Sequence, residues 1–178
     1  MDDVTKMDAA VAVLRVIVGL TVAAHGYGKV FRGGRLASTG GWFDSIGMRP
    51  GWLHARMAAG TEIAAGLLLA LGLLTPIAGA AVVALMVVAA WTVHRGNGFF
   101  IVGDGWEYNF VLAGCAVVAG TAGPGRLSLD HALSDGWLGV QGGWSGFLLA
   151  AVGGVLAAVV HLAVFFRPPA AEEALTAE

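Results

Sequence analysis

Residues 9–31 read AAVAVLRVIVGLTVAAHGYGKVF, an apolar run interrupted by Arg15, His25 and Lys29. At about 1.5 Å per residue in a helix, the run is long enough to cross a hydrocarbon core of about 30 Å. Apolar and polar positions do not alternate, so a strand is a poor reading, and a membrane-spanning helix is the good one. The rest of the chain repeats the pattern. Four further apolar stretches lie at 55–74, 77–94, 107–122 and 144–166. Thr75-Pro76 separates the second from the third, which predicts a tight antiparallel helix pair.

Composition agrees. Of 178 residues, 57% are hydrophobic and 12% charged, against about 45–50% and 25% in an ordinary soluble domain. A water-soluble fold could not hide that much apolar surface, so a cytosolic enzyme is excluded. A net charge of −2 without a basic stripe excludes nucleic acid as a partner. The single cysteine, Cys115, excludes an internal disulfide and a C-x-x-C redox pair. The 28 glycines suit close helix packing in lipid. The fold class is therefore all-α, a polytopic membrane protein in contact with the lipid bilayer.

Sidedness follows from charge. Arg32, Arg35, Arg49, Arg56, Arg95 and Arg167 share one face, and Lys6 and Arg126 the other. The positive-inside rule then places the N-terminus outside and the C-terminus in the cytoplasm. Asp2, Asp3 and Asp8 around Lys6 make a poor signal-peptide n-region, so no cleavage is expected. The first loop carries Trp42, Phe43, Ile46 and Trp52 between glycines and predicts a short interfacial helix. Gly123-Pro124-Gly125 ends the fourth span, and Ser128 is placed to cap another short helix.

The ionisable residues in the spans carry the functional question. On a helical wheel Lys29 lies about 40° and His25 about 80° from Arg15, so the first helix has one polar stripe that should face other helices. Its apolar residues supply roughly −3 to −6 kcal/mol for insertion, and one central Arg costs about +2.5 to +3.5. Such a helix needs partners. Span topology brings His25, Lys29, Glu62, His94, Asp104, Glu107 and Asn109 toward one membrane face, with Arg15 deeper toward the opposite face, where Asp130 is available. Two readings stand: ion pairs that lock helices together, or a polar pocket for a small head group or a proton path. His25, His94 and His161 show no spacing that fixes a facing pair for haem. With no H-x-x-E-H cluster, no metal site is expected either. Cys115 reads as an inert packing residue.

In order, the motifs are Leu14-Arg15, His25-Gly26-x-x-Lys29-x-Phe31, Gly40-Gly41-Trp42-Phe43, Gly60-x-Glu62-x-x-x-Gly66, Leu71-Gly72-Leu73-Leu74-Thr75, Gly98-Phe99-Phe100, Glu107-x-Asn109 and Gly123-Pro124-Gly125-Arg126. Together, over about residues 10–133, they resemble the DoxX family. The departures are Ala65, where the family usually has glycine, and Pro76, where it is often basic. The resemblance implies a bacterial plasma-membrane protein with a four-helix bundle over 1–143. An added helix at 144–167 and a solvated tail at 168–178 complete the chain. It also implies a tie to membrane redox systems. Glu62, His25 and Lys29 are the candidate catalytic residues, and Arg15, Glu107 and Asn109 the candidate cofactor-binding residues, with a quinone as the cofactor it suggests. The first functional reading is an accessory or assembly subunit among other membrane redox proteins. The alternative is a quinone-linked oxidoreductase subunit. Small-solute or proton transport is the third, and would call for a homo-oligomer.

Overall fold

The computed structural model describes residues 3–32, 35–133 and 142–168, and among them every regular element is helical. α1 spans Asp3–Phe31, α2 Arg35–Ser45, α3 Gly51–Leu71, α4 Thr75–Ala89 and α5 Glu107–Ala122. α6 is a single turn, Leu129–Ala132; α7 is Gly143–Phe147 and α8 Gly154–Phe165. α4 runs on through a π-helical stretch, Ala90–His94, and a 3-10 turn, Arg95–Asn97, and a second π-helical stretch, Leu148–Gly153, joins α7 to α8.

Among the described residues, three continuous helices are long and apolar enough to cross a membrane: Thr5–Phe31, Thr75–Asn97 and Gly143–Phe165. The predicted spans two and four are helices as well, but of a different kind. α3 carries His54, Arg56 and Glu62, and α5 has only 16 residues, about 24 Å at helical rise. Both are sheltered by the longer helices. α1 packs along α3, α3 against α4, α4 along α5, and α5 back against α1. The Gly143–Phe165 helix lies outside this four-helix ring, against α4 and α5.

Small residues set the spacing. Gly19 and Gly66 face each other across α1 and α3, and a Cβ on Gly66 would lie 2.5 Å from the Gly19 carbonyl oxygen. Only glycine on both sides permits that approach. The apolar core then runs through Val18, Val22, Leu69, Val82, Val83, Leu112 and Ala116.

The break between α3 and α4 differs from its predicted position. Gly72 ends α3 in the left-handed conformation (φ 68°), Leu74 follows at φ 53°, and Thr75-Pro76 begin α4 rather than interrupting it. The reason is local. Proline in a first turn gives up an N–H that has no helical partner anyway, whereas a left-handed glycine closes the preceding helix. α2 is a short helix in the first loop, where one was predicted, and Ser128 caps α6, accepting from the His131 amide at 3.1 Å.

Two ends of the bundle can now be distinguished. At the tight-turn end, the α5–α6 segment folds over the α3–α4 turn: the Asp130 amide donates to the Gly72 carbonyl at 3.0 Å, and the Arg126 amide to Asp8 at 2.9 Å. At the long-loop end, the Arg167 amide donates to the Gly47 carbonyl at 2.7 Å, and Phe166 bridges to Met48. The last helix therefore ends at the side of the bundle that holds α2, as five helices running alternately up and down require. Trp137 and most of the predicted tail lie outside the described residues.

Candidate functional site: a polar cavity at the long-loop end

α1, α3, α4 and α5 enclose a cavity of about 390 Å³ roofed by Trp42 and Phe43 of α2. Its polar wall is built from His25, Lys29, Glu62, Thr92, His94, Tyr108 and Asn109, and the rest is apolar. The Lys29 ammonium donates to both oxygens of Glu62, at 2.5 and 2.6 Å. Lys29 reaches across because Gly26, one turn earlier on α1, sits against Ala59 and Glu62 of α3 with no room for a side chain. His25 lies on the adjacent strip of α1 and faces α5, its Nε2 3.4 Å from the Tyr108 hydroxyl. Asn109 is buried one residue further along α5, its amide nitrogen 3.8 Å from the Met86 sulfur.

The long-loop end of α4 shapes the rest of the wall. The π-helical stretch Ala90–His94 widens the helix where Thr92, Val93 and His94 line the cavity, and such stretches recur at functional sites. His94 is anchored from behind, its Nδ1 2.7 Å from the Asp104 carbonyl oxygen.

Not every predicted residue joins this site. Glu107 turns away: its carboxylate accepts from the Ile101 amide at 2.9 Å and braces the α4–α5 loop instead of lining the cavity. Asp104 contributes its backbone to that loop, at φ 59°. Arg15 lies at the opposite end, only 1% exposed. Its Nη2 donates to the Leu127 carbonyl at 2.6 Å, its guanidinium rests against Gly72, and Asp130 is its acidic neighbour. Asp130 in turn accepts from the Leu74 and Thr75 amides at 3.1 and 3.4 Å, capping α4. Arg15 thus clasps the tight-turn end while Lys29, Glu62, His25 and Asn109 converge at the other.

A second feature was invisible in the sequence. A groove of about 360 Å³ on the outside of α4 and α5 is lined by Trp91, Arg95, Trp106 and Phe110, and shares Met86 and Asn109 with the polar cavity. The Arg95 guanidinium stacks over Trp91 at 4.3 Å. The Asn109–Met86 contact is thus part of the wall between the cavity and the bundle's outer surface.

A protein-family model described as DoxX matches residues 10–95, from α1 to the π-helical end of α4. No curated protein and no solved structure matches the chain.

Proposed function

We propose, from the premise that this chain belongs to the DoxX family of membrane proteins, that it serves a membrane redox system by holding the head group of a quinone-class molecule in the polar cavity. The observation that carries this reading is the bidentate Lys29–Glu62 pair on the wall of a cavity of 390 Å³. That volume falls within the roughly 300–1,000 Å³ of small-molecule sites, which combine apolar walls with a few convergent polar groups. Lys29 and Tyr108 offer donors to a carbonyl oxygen, and Asn109 offers an amide. Glu62, ion-paired with Lys29, is placed to relay protons drawn from water to the quinone oxygens as two electrons and two protons convert quinone to quinol. With Cys115 as its one cysteine the chain has no dithiol, and this reading assigns electron delivery to a partner subunit. In this reading the outer groove, which shares the wall residues Met86 and Asn109 with the cavity, is where a molecule dissolved in lipid would enter once Met86 moves aside.

The accessory-subunit reading keeps one specific observation: the same Lys29–Glu62 pair joins α1 to α3 and would stabilise the bundle without any ligand. Titration of the purified protein with a short-tailed benzoquinone, followed by tryptophan fluorescence, separates the two. Saturable quenching that weakens at least ten-fold in Glu62→Gln supports the head-group site. The same affinity in wild type and Glu62→Gln, or no saturable binding in either, overturns it.

A further inference from the structure

We propose that His54 and His161, together with the thioethers of Met48 and Met57, form a copper(I) site in a second cavity, between α3, α4 and α8. This cavity, about 190 Å³, is separated from the polar one by the shared side chains Phe43, Ala58, Leu85 and Val88. Its nitrogen- and sulfur-bearing side chains are those two histidines and two methionines.

The rings are spaced as a pair of ligands would be. His54 on α3 and His161 on α8 have centroids 5.0 Å apart and planes at 88°. An imidazole nitrogen binds such metals at about 2.0–2.1 Å, so each ring centroid lies about 3.2 Å from the ion, and two rings at a tetrahedral angle lie about 5 Å apart. His54 is 2% exposed, and its Nε2 is 3.4 Å from the Arg49 carbonyl oxygen. A ligand histidine commonly donates its second N–H to a backbone carbonyl in this way, which fixes the tautomer and leaves the other nitrogen free to coordinate. His161 makes ring contacts with His54 and Phe165 but no hydrogen bond within the described residues. Met57 lies one turn beyond His54 on the same face of α3, and Met48 is almost wholly buried.

The ligand chemistry selects the ion. No three His, Cys, Asp or Glu side chains gather among the described residues, so nothing here offers the charge or ligand set that zinc or iron prefers. Neutral imidazole with thioether is the set that soft copper(I) prefers. A singly charged ion also loses far less hydration energy than a dication on entering an apolar cavity without a carboxylate. The sequence pattern concealed this site because one ligand pair sits one turn apart on α3 and the other histidine arrives from the last helix.

The test is a titration of the full-length purified protein with copper(I) alone, under reducing anaerobic conditions, in competition with bicinchoninate. One equivalent is expected in wild type and in Glu62→Gln. Binding should weaken at least ten-fold in His54→Leu and His161→Leu, and several-fold in Met57→Leu. His161 sits on the outermost helix and Met57 is partly exposed, so those two variants remain informative where His54→Leu fails to fold. X-ray absorption of the loaded protein should show nitrogen and sulfur neighbours. Failure of wild type to compete, undiminished binding in His161→Leu, or a spectrum without sulfur overturns the assignment. None of these results depends on quinone binding.

Discussion

The Lys29–Glu62 pair allows a decisive experiment, because clasp and pocket predict different outcomes for the same two substitutions. The carboxylate is 10% exposed and the ammonium 25%, with oxygen–nitrogen distances near 2.5 Å. Removing one member of a buried pair strands the other and costs about 3–5 kcal/mol. The partial exposure of Lys29 places Lys29→Met and Glu62→Gln toward the lower end, about 3 kcal/mol each. Replacing both removes the stranded charge, so Lys29→Met with Glu62→Gln should cost only about 2 kcal/mol, a coupling of about 4. Two charges about 3 Å apart at an effective dielectric near 20 attract by roughly 5–6 kcal/mol, so a coupling of about 4 is what remains after part of that attraction is offset by desolvation. Reversible unfolding by sodium dodecyl sulfate in mixed micelles, read by tryptophan fluorescence, measures the cycle. If the pair is only a clasp, the double variant regains whatever ligand affinity the single variants lose. If the pair is the pocket wall, stability partly recovers while short-tailed benzoquinone binding stays weakened ten-fold or more, at least 1.4 kcal/mol. A coupling below about 1 kcal/mol would refute the account of the pair as mutually shielded charges.

Other substitutions probe the remaining parts. Asp130→Ala removes the cap on Leu74 and Thr75 and the acidic neighbour of Arg15; it should destabilise by about 2–3 kcal/mol in the same unfolding assay, with quinone affinity in the folded fraction unchanged. Gly66→Val drives a side chain into the Gly19 backbone and should cost about 3 kcal/mol or prevent assembly, which the unfolding midpoint reads directly. Met86→Trp fills the wall between the outer groove and the cavity. By stopped flow it should slow association of a long-tailed quinone about ten-fold while changing that of a tailless quinone less than two-fold.

The sequence made the site legible to the extent that topology decides it. Alternating spans necessarily put the end of α1, the start of α3, the end of α4 and the start of α5 on one face, so Lys29, Glu62, His94 and Asn109 were foreseeable neighbours. What could not be read was which side chain satisfies a backbone group. Glu107 occupies the first turn of α5, and its helical position alone does not distinguish a cavity wall from a loop brace; the Ile101 amide decides it. Arg15 ends on a carbonyl, Leu127, that has no signature in the sequence. His54 escaped for another reason. The sequence placed it in the first loop, just before the second span, whereas α3 begins at Gly51 and buries it. The π-helical widening of α4 likewise has no proline or glycine to announce it at Ala90–His94.

The two ends of the bundle use charge in opposite ways, and that contrast argues for where function resides. At the tight-turn end, the side-chain hydrogen bonds go to backbone: Arg15 to Leu127, Asp130 to Leu74 and Thr75, Asp8 to Arg126, while Arg15 Nε and Nη1, Asp8 Oδ2 and Thr75 Oγ1 are buried without a hydrogen-bond partner among the described residues. Groups committed to fixed amides and carbonyls hold a turn and a loop in register, and none of Arg15, Asp130 or Asp8 lines one of the cavities described above. At the long-loop end His94 and Glu107 are held by backbone groups, but along the cavity wall polar side chains pair with one another: Lys29 with Glu62, His25 with Tyr108, Asn109 with a thioether. Side-chain pairs of this kind can exchange a partner for a ligand without unfolding a helix, whereas a capped turn cannot. The helix that borders the cavity is also the one that abandons regular α geometry there, and Met86, a side chain with freely turning bonds, stands in the wall between the cavity and the outer groove. On the proposed reading, rigidity at one end and exchangeable contacts at the other would let the bundle admit a small molecule from the bilayer and return it.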